Sequence, residues 1–392
     1  MDVEKLKIRP VWAEIDLNNL SHNIREVRRV TSSESLIMAA VKADAYGHGA
    51  VSCAKTFLEN GADRLATATL GEAIHLRRKG ITAPILCLGY VPSYLFPRAL
   101  DHDVGVTIYS LEKALDLSKA ASDLNGMAKI HVKIDTGMGR LGFQALDKSL
   151  EELEKIADLS GLSLEGIFTH FAVADEPKEG YTRKQFAFFM EMVDGLEDKG
   201  IKFPLKHVSN SAAIIDYPEY NLDMVRPGIM LYGFYPSVHV DHDRVELKPV
   251  MRLKAQISHV KNVPAGTGLS YGLTFETIRE SKIATVPAGY ADGYSRTLSN
   301  RGKVLLHGMK VPIVGRVCMD QFMVDVTGLS DVDVGETITL IGDGTDDAPT
   351  AEDLANILGT ITHEITCGIS LRVPRVYMKD GKIVDVLNFL SR

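Results

Sequence analysis

The chain has few cysteines, no long apolar run and no block of basic residues, and each of these absences excludes a class of protein. Its four cysteines lie far apart with no C-x-x-C pair, which argues against a disulfide scaffold and a zinc site. No segment is apolar over the roughly 20 residues that a membrane-spanning helix needs. The N-terminus lacks the apolar core and cleavage site of a secretory signal. We therefore expect a cytoplasmic protein without a bound metal ion.

The charge distribution points to a small partner. The net charge is −7, and no stretch of the chain concentrates lysine and arginine. A surface for nucleic acid or for an anionic membrane needs clustered cations to displace counterions. The sequence therefore predicts a small-molecule ligand.

Short apolar, β-prone runs recur from residue 37 onward, and an amphipathic segment follows most of them. Repeated β-α units of this kind predict a parallel sheet, and eight strands match a (β/α)₈ barrel of the TIM type over residues 1–240. An open, doubly wound sheet is the alternative. The eight runs are IMAAVKA, DRLATAT, APILCLGY, VGVTIYS, AKIHVKID, LEGIFTHF, LKHVSNS and MVRPGIMLYG.

The sequence pattern changes after about residue 240, where short predicted strands alternate with Pro-Ala-Gly, His-Gly and Gly-Asp turns. This pattern predicts a mainly β C-terminal domain over residues 241–392. The polar stretch YPSVHVDHDRVELKP reads as the linker. The early segment IRPVWAEIDLN is also strand-like and could pair with either domain.

Several predicted barrel strands end in polar or charged side chains. The carboxyl ends of barrel strands surround one mouth, where the functional groups of this fold lie. Cations brought together there would repel one another without an anionic ligand, so a phosphate-bearing cofactor fits the pattern. The residues concerned are Lys42, Tyr46, Lys133, Asp135, Arg140, His170, Asn210, Ser211 and Arg226.

Barrels commonly bind phosphate at the ends of strands seven and eight. There the chain offers the hydroxyl of Ser211 and the backbone amides of Gly228 and Ile229. At the end of the first strand, the amine of Lys42 could form a Schiff base with an aldehyde cofactor, for which pyridoxal phosphate is the common case. The lysine motif therefore predicts a cofactor anchor.

A series of sequence blocks along nearly the whole chain resembles those of the alanine racemase family and follows the expected order. The blocks are AVKADAYGHG, KIDTGMGRLGF, GIFTHFA, HVSNSAA, MVRPGIMLYG, LSYG, PAGYADG, GRVCMDQ and RVPRVY. The resemblance implies a pyridoxal phosphate enzyme that interconverts L-alanine and D-alanine and supplies D-alanine for bacterial peptidoglycan. It also implies a homodimer, in which the C-terminal domain contributes to the active site of the partner subunit.

The resemblance assigns two bases, Lys42 and Tyr271, and the chemistry requires two. Racemisation removes the Cα proton from one face of a planar carbanion and returns a proton to the other face. A single base tends to restore the starting enantiomer. Since both groups are ordinarily protonated near neutral pH, neighbouring charge or imine chemistry must tune them, and His170 and Arg226 are the expected tuners.

The family pattern assigns the remaining site residues. Arg226 would face the pyridine nitrogen, where a guanidinium disfavours protonation of the ring and weakens it as an electron sink. Arg140 would bind the ring hydroxyl and the substrate carboxylate, and a carbamylated Lys133 would hold Arg140 in place. The other expected contacts are Tyr46, Asn210, Ser211, Gly228 and Ile229 with the cofactor, Met319 with the substrate carboxylate through its amide, and Tyr290 and Arg296 at the entrance.

Two positions depart from the family pattern. Leu371 stands where many members have a phosphate-contacting tyrosine, and His363 stands where an entrance tyrosine is common. Both departures predict a wider pocket, which would make serine or other small amino acids slow substrates.

Three alternative functions share part of these features. The segment GMGRLG, Gly137 to Gly142, fits the G-x-G-x-x-G pattern of a dinucleotide-binding dehydrogenase, but no acidic residue follows at a strand end about 20 positions later. A noncatalytic pyridoxal phosphate carrier would need neither Tyr271 nor a second domain. A decarboxylase of the same two-domain plan would differ in LSYG and MVRPGIMLYG.

Overall fold

The computed structural model describes residues 6–144 and 146–391 and divides into two compact units. The first, which we call the barrel unit, comprises Leu20–Ala45 and Ala50–Leu247. The second, which we call the β unit, comprises Lys248 onward, the short segment Tyr46–Gly49 and the described residues up to Asn19. The predicted boundary at residues 240 and 241 remains a prediction.

The barrel unit contains an eight-stranded parallel sheet. Chain order begins with β1 (Val11–Asp16), which belongs to the β unit. The barrel strands are β2 (Leu36–Ala40), β3 (Arg64–Thr67), β4 (Ile85–Cys87), β5 (Val104–Ile108), β6 (Ala128–Lys133), β7 (Leu162–Phe168), β8 (Leu205–His207) and β9 (Met224–Val225). Neighbouring strands pair in sequence from β2 to β8, and β9 pairs with β2. All eight predicted strands are confirmed.

Two backbone hydrogen bonds, one just before β9 and one just after it, link this strand to β8 and the residues that follow β8. They close the sheet into a barrel. The amide of Asp223 donates to the carbonyl of Lys206 at 3.1 Å, and the amide of Arg226 donates to the carbonyl of Ser209 at 3.0 Å. Closure leaves no free sheet edge. The TIM-type barrel is therefore confirmed, and the open sheet is wrong.

Helices follow most of the barrel strands, as the amphipathic segments predicted. Helix α1 (Leu17–Val30) follows β1 and precedes β2, and the helices that follow barrel strands are α2 (Ala50–Glu59), α3 (Leu70–Arg78), α4 (Phe96–Asp101), α5 (Leu111–Asp123), α6 (Leu146–Ala157), α7 (Glu179–Asp198) and α8 (Ser211–Asp216). Polar caps fix where several of them begin. Thr69 and Glu72 form a reciprocal capping box on α3, and Ser110 caps α5. Among the described helices, none combines the length and the apolar character needed to cross a membrane.

The β unit is built around a ten-stranded sheet and a separate two-stranded one. Its further strands are β10 (Met251–Gln256), β11 (His259–Val263), β12 (Gly268–Leu269), β13 (Phe275–Glu276), β14 (Ser281–Val286), β15 (Lys303–Leu306), β16 (Met309–Val314), β17 (Phe322–Asp325), β18 (Thr337–Ile341), β19 (Arg375–Lys379) and β20 (Lys382–Leu387). The helices α9 (Ala351–Leu358) and α10 (Thr362–Cys367) precede β19. The mainly β character of the C-terminal region is confirmed.

The first strand of the chain is part of this β sheet. Strand β1 runs antiparallel to β10 and parallel to β19. The order of the ten strands is β11, β14, β17, β16, β15, β18, β10, β1, β19 and β20. The sequence left open which domain would pair with IRPVWAEIDLN, because a strand pattern does not identify its neighbours.

Two large, fully buried side chains stabilise the region where β1 pairs with β19. Trp12 is fully buried against Val376, and its indole nitrogen donates to Glu14 at 3.1 Å. Arg375 is also fully buried and donates to the carbonyls of Ile369, Ser370, Val373 and Gly47. The carbonyls replace the water that the guanidinium loses.

Replacing the only tryptophan tests the importance of this region. We expect Trp12→Ala to destabilise the protein by about 3–5 kcal/mol, because it removes a fully buried aromatic side chain and leaves a cavity. Urea denaturation followed by circular dichroism measures the change. The matched control is Val334→Ala in the same unit, where 61% exposure predicts a change within about 0.5 kcal/mol. Equal effects of the two substitutions would contradict the assignment of Trp12 to the core.

Candidate active site

The lysine motif folds into a left-handed turn directly after β2. Ala43, Asp44, Ala45 and Tyr46 all have φ between 52° and 54°. Left-handed backbone costs a residue with a side chain roughly 1–2 kcal/mol, so the surroundings must hold this turn in place. The amide of Ala43 donates to Glu72 at 2.7 Å, and Asp44 accepts from the amide of Ala50 at 2.8 Å. The turn therefore places Lys42 at a strand end in a fixed backbone conformation.

Two cations lie beside one aromatic ring in the barrel unit. The Lys133 amine is 5.2 Å from the ring centre of Phe168, and the Arg226 guanidinium carbon is 5.3 Å from the same centre. Lys133 is buried and donates to the carbonyl of Ile134 at 3.0 Å. Burial, and then the charge of Arg226, lower the pKa of Lys133 to about 7. The amine is therefore partly neutral at physiological pH.

Arg226 is buried at the end of β9 and is held mainly by backbone carbonyls. It donates to the carbonyls of His207 at 2.8 Å, Thr169 at 2.7 Å and Val208 at 3.0 Å. A longer contact of 3.4 Å reaches Nδ1 of His170. Burial lowers the pKa of Arg226 to about 9, so the side chain remains charged at neutral pH.

A buried relay of hydrogen bonds extends from Arg226 through two histidines to a carboxylate. The guanidinium contacts Nδ1 of His207 at 2.8 Å, and Nε2 of His207 contacts Nδ1 of His131 at 2.8 Å. Nε2 of His131 reaches Glu165 at 3.1 Å, and Glu165 also pairs with Arg64 at 3.1 Å. The relay thus joins four elements of the barrel.

The protons of this relay can be assigned from its partners. Because an arginine only donates, Nδ1 of His207 must accept, and its proton lies on Nε2. The same logic puts the proton of His131 on Nε2, facing Glu165. Burial lowers the pKa of both histidines, and the hydrogen bond from His131 lowers the pKa of Glu165 to about 2. Both rings are therefore neutral, and the negative charge lies at the far end.

Sequence reasoning missed this relay. His131, Glu165 and His207 lie within the strand segments KIHVKID, LEGIFTH and LKHVSN. A titratable residue inside an apolar strand was the available signal. Which strands face each other, however, is not visible in the sequence.

The residues predicted to bind phosphate lie close together in the barrel unit. The Ser211 hydroxyl accepts from the amide of Gly228 at 2.9 Å, and the 3₁₀ turn Ile229–Tyr232 begins at the next residue. The side chain of Asn210 caps α8 by accepting from the amide of Ala213 at 3.0 Å. The structure therefore brings the ends of β8 and β9 together, as the barrel predicted.

The glycine-rich segment after β6 forms a loop. Asp135 accepts from the amides of Gly137 and Gly139, both at 3.0 Å, and Arg140 is exposed on this loop. These amides are therefore bound to the protein's own carboxylate, whereas a dinucleotide-binding turn presents its amides to a pyrophosphate.

The remaining predicted residues lie in the β unit. Tyr271 is 74% exposed in the 3₁₀ turn Tyr271–Leu273, which follows Ser270 in left-handed backbone. The Ser270 hydroxyl donates to the carbonyl of Arg316 at 2.8 Å and anchors this turn. Met319 and Tyr290 are also exposed, and the amide next to Tyr290, that of Ala291, donates to the carbonyl of Met319 at 3.0 Å.

The other assigned positions of the β unit are also described. Arg296 is exposed in the short turn Arg296–Leu298. Tyr46 is buried with its ring centre 5.8 Å from that of His363, and burial raises its pKa. Leu371 is half exposed. The predicted site residues therefore form two sets, one in each unit.

The fold and these two sets define an enzyme built from a TIM-type barrel with a mainly β domain. Residues 15–236 match the family model described as alanine racemase, N-terminal domain, and residues 250–377 match alanine racemase, C-terminal domain. The chain therefore belongs to the alanine racemase family, whose members are isomerases. This membership rules out the dehydrogenase, carrier and decarboxylase alternatives.

Individual alanine racemases are similar to this chain over nearly its full length. An alanine racemase of Methanococcus maripaludis is 52% identical over 94% of this chain and 99% of its own. The structure of an alanine racemase from Clostridium difficile 630 has a TM-score of 0.94 and 46% identity, covering 97% of this chain and 99% of that one. A cycloserine complex from the same organism has a TM-score of 0.92 and 45% identity, with the same coverage.

The buried lysine gives a prediction about pH. The pKa of Lys133 is about 7 in the folded chain and about 10.4 in an unfolded one, so the folded state binds fewer protons between these values. The free energy of unfolding should therefore rise with pH across this range. We expect Lys133→Met to reduce that rise, measured by urea denaturation without cofactor in carbonate-free buffers at pH 7, 8 and 9.

The control for this prediction is Lys148→Met, since the side chain of Lys148 is 77% exposed. It should follow the wild-type pH dependence. If Lys133→Met also parallels the wild type, Lys133 does not titrate near neutrality in the folded protein.

Proposed function

We propose that this chain interconverts L-alanine and D-alanine with pyridoxal phosphate as cofactor and with Lys42 and Tyr271 as the two bases. The family membership carries the activity, and the buried cations of the barrel unit support the cofactor. The enzyme would act in the cytoplasm and supply D-alanine for peptidoglycan.

The donor set of the barrel unit fits such a cofactor. Arg226 is buried beside the ring of Phe168, where a phosphorylated, electron-rich ligand would offset its charge. Ser211 lies beside the Gly228 amide, so a hydroxyl and a backbone donor are available together for a phosphate. The residues that would hold the cofactor are Lys42, Tyr46, Arg140, His170, Asn210, Ser211, Arg226, Gly228 and Ile229.

When bound, pyridoxal phosphate stabilises negative charge at the substrate Cα. The protein determines how strongly it does so. Arg226 remains a cation and a donor, because its hydrogen bonds to three carbonyls and to neutral His207 all favour the charged form. Facing the ring nitrogen, Arg226 would therefore keep its own proton. Its charge would limit delocalisation of negative charge into the ring and would favour return of a proton to Cα over side reactions.

Lys42 and Tyr271 would exchange protons with opposite faces of Cα. The amine of Lys42 would bind the cofactor covalently at rest and move the proton on one face when substrate replaces it. The phenol of Tyr271 would hold or accept the proton on the other face. The backbone supports a fixed position for each, since Lys42 begins a left-handed turn and Tyr271 follows the anchored Ser270.

The exposure of Tyr271 supports a homodimer with shared active sites. Tyr271 is 74% exposed, and Leu273, Ile278 and Met319 of the same unit are 68%, 94% and 52% exposed. Water around a base admits competing protons, so an active site needs this region to be covered. A second copy of the chain would cover it and bring Tyr271 to the partner's cofactor.

The substrate carboxylate would bind the amide of Met319 and the guanidinium of Arg140, while Tyr290 and Arg296 would line the entrance. Lys133 would be carbamylated, since a pKa of about 7 leaves neutral amine for reaction with carbon dioxide. The resulting anion would hold Arg140. Leu371 and His363 in place of family tyrosines would widen the pocket, so slow racemisation of serine is the second candidate activity.

Product analysis tests this proposal directly. The purified protein, loaded with pyridoxal phosphate, is incubated separately with L-alanine and with D-alanine, and the products are separated on a chiral column. We expect both reactions to reach the same equal mixture of enantiomers. Absence of the opposite enantiomer in both incubations would refute the proposal, and serine in parallel measures breadth.

Removing the phenol tests the role of Tyr271. We expect Tyr271→Phe to lower kcat/KM for L-alanine and for D-alanine alike by at least about 100-fold, since the phenol is the base in one direction and the acid in the other, and general acid–base catalysis contributes about this much. The yellow colour of the bound cofactor should persist. Tyr94→Phe, at a residue 80% exposed in the barrel unit, is the control and should racemise normally. Normal racemisation by Tyr271→Phe in both directions would exclude Tyr271 as a base.

Removing the amine tests the anchor. In Lys42→Ala we expect no cofactor to remain covalently attached after borohydride reduction, because the reducible bond needs this amine. Mass spectrometry of the intact chain and its peptides reports the attachment. Lys55→Ala, at an exposed lysine of α2, should be labelled like the wild type. Undiminished labelling of Lys42→Ala would place the anchor elsewhere.

A further inference from the structure

Asp292 is a buried carboxylate of the β unit to which the sequence assigned no role. It ends the 3₁₀ turn Tyr290–Asp292, and its side chain is inaccessible to solvent. The carboxylate accepts from both terminal nitrogens of Arg9, from Nε of Arg372 at 2.7 Å and from the amide of Gly289 at 2.9 Å. Burial raises the pKa of Asp292, but these hydrogen bonds outweigh it and the net pKa is lowered. Asp292 is therefore ionised. We call this carboxylate, with its donors Arg9, Arg372 and Gly289, the hub.

The hub joins segments that are far apart in the sequence. Arg372 donates through Nη2 to Asp320 at 2.7 Å as well as through Nε to Asp292. The amide of Ser370 donates to the carbonyl of Asp292 at 3.1 Å, and Arg9 also donates to the carbonyl of Pro287 at 2.9 Å. Asp292 thus links the N-terminal segment, its own turn, the segment around Arg372 and the loop that contains Asp320.

The turn and that loop also meet backbone to backbone. The amides of Tyr290 and Ala291 donate to the carbonyls of Cys318 at 3.1 Å and Met319 at 3.0 Å. A Cβ on Gly289 would lie 2.3 Å and 2.4 Å from these two carbonyl oxygens, so only glycine permits the approach. The peptide planes on either side of Met319 are therefore set by the turn that Asp292 holds.

We propose that Asp292 is a positioning residue that orients the Met319 amide toward the substrate carboxylate, acting through Arg372 and its own turn. This inference rests on the proposed function, in which the Met319 amide contacts that carboxylate. Asp292 itself contacts no substrate. The turn of Tyr271 has an anchor of its own in the bond from Ser270 to Arg316, so the proton-transfer step should depend less on Asp292 than substrate binding does.

The substitution Asp292→Asn tests the inference, because it keeps the size of the side chain but removes the charge shared by two arginines. We expect KM for L-alanine, and Ki for propionate, which is alanine without its amine, to rise together by about tenfold, the effect of one weakened charge-assisted hydrogen bond. We expect kcat to change by less than about threefold, well below the rise in KM and Ki. Cofactor absorbance should be unchanged, and amide hydrogen exchange of residues 317–321 should be faster.

Asp343→Asn is the matched control. Asp343 is a partly buried carboxylate of the same unit, paired with Arg252 at 2.5 Å, and it has no bond to the Met319 loop. It should leave KM and Ki at wild-type values. Asp320→Asn is a second variant, since its exposed carboxylate can be changed with little risk to folding. It weakens only the bond from Arg372, because the amide oxygen of asparagine still accepts but carries no charge, and it should raise KM and Ki in the same direction but by less.

Wild-type kinetics come first, since a wild type without racemase activity overturns the proposed function. With an active wild type, unchanged KM and Ki in a folded Asp292→Asn variant would overturn only the positioning role. Equal rises in Asp292→Asn and Asp343→Asn would also overturn it, because the effect would then be general destabilisation. If Asp292→Asn does not fold, an Asp320→Asn variant with wild-type KM and Ki overturns the inference.

Discussion

The barrel unit depends on keeping the positive charge of Arg226 in its interior. Moving an ion from water into protein costs several kcal/mol unless its donors find partners. The carbonyls of Thr169, His207 and Val208 supply these partners, and the relay through His131 ends on ionised Glu165. The guanidinium consequently has one geometry and one charge state. The role proposed for Arg226 beside the cofactor requires this property, because the charge there would set how far substrate electrons are withdrawn.

The left-handed turn after β2 is a second constraint on the same unit. Four successive residues with side chains adopt positive φ, which none of them prefers. The strained backbone is held by side chains such as Glu72 and Asp44, which accept from backbone amides around the turn. Strain maintained in this way is characteristic of functional positions.

The β unit satisfies its buried charges by two different routes. Arg375 is surrounded by carbonyls, which solvate the guanidinium without a counterion. Asp292 is surrounded by two guanidinium groups and one amide, which keep the carboxylate ionised. The hydrogen bonds of Arg375 hold the backbone of Gly47 close to the segment 369–373. Those of Asp292 add a connection to the loop of Met319 and thereby to the surface where substrate is expected.

The sequence by itself determined the barrel strands, the mainly β C-terminal region and the family, because periodicity and contiguous motifs are local properties of the chain. It also identified Lys42, Ser211 and Arg226 as strand-end residues, since a strand end follows from the same periodicity. Only the tertiary structure decided that β1 joins the C-terminal sheet, that His207, His131 and Glu165 form a relay, and that Asp292 meets Arg9 and Arg372. These pairings lie between residues distant along the chain, and their partners are selected by strand order and burial, which no local pattern encodes.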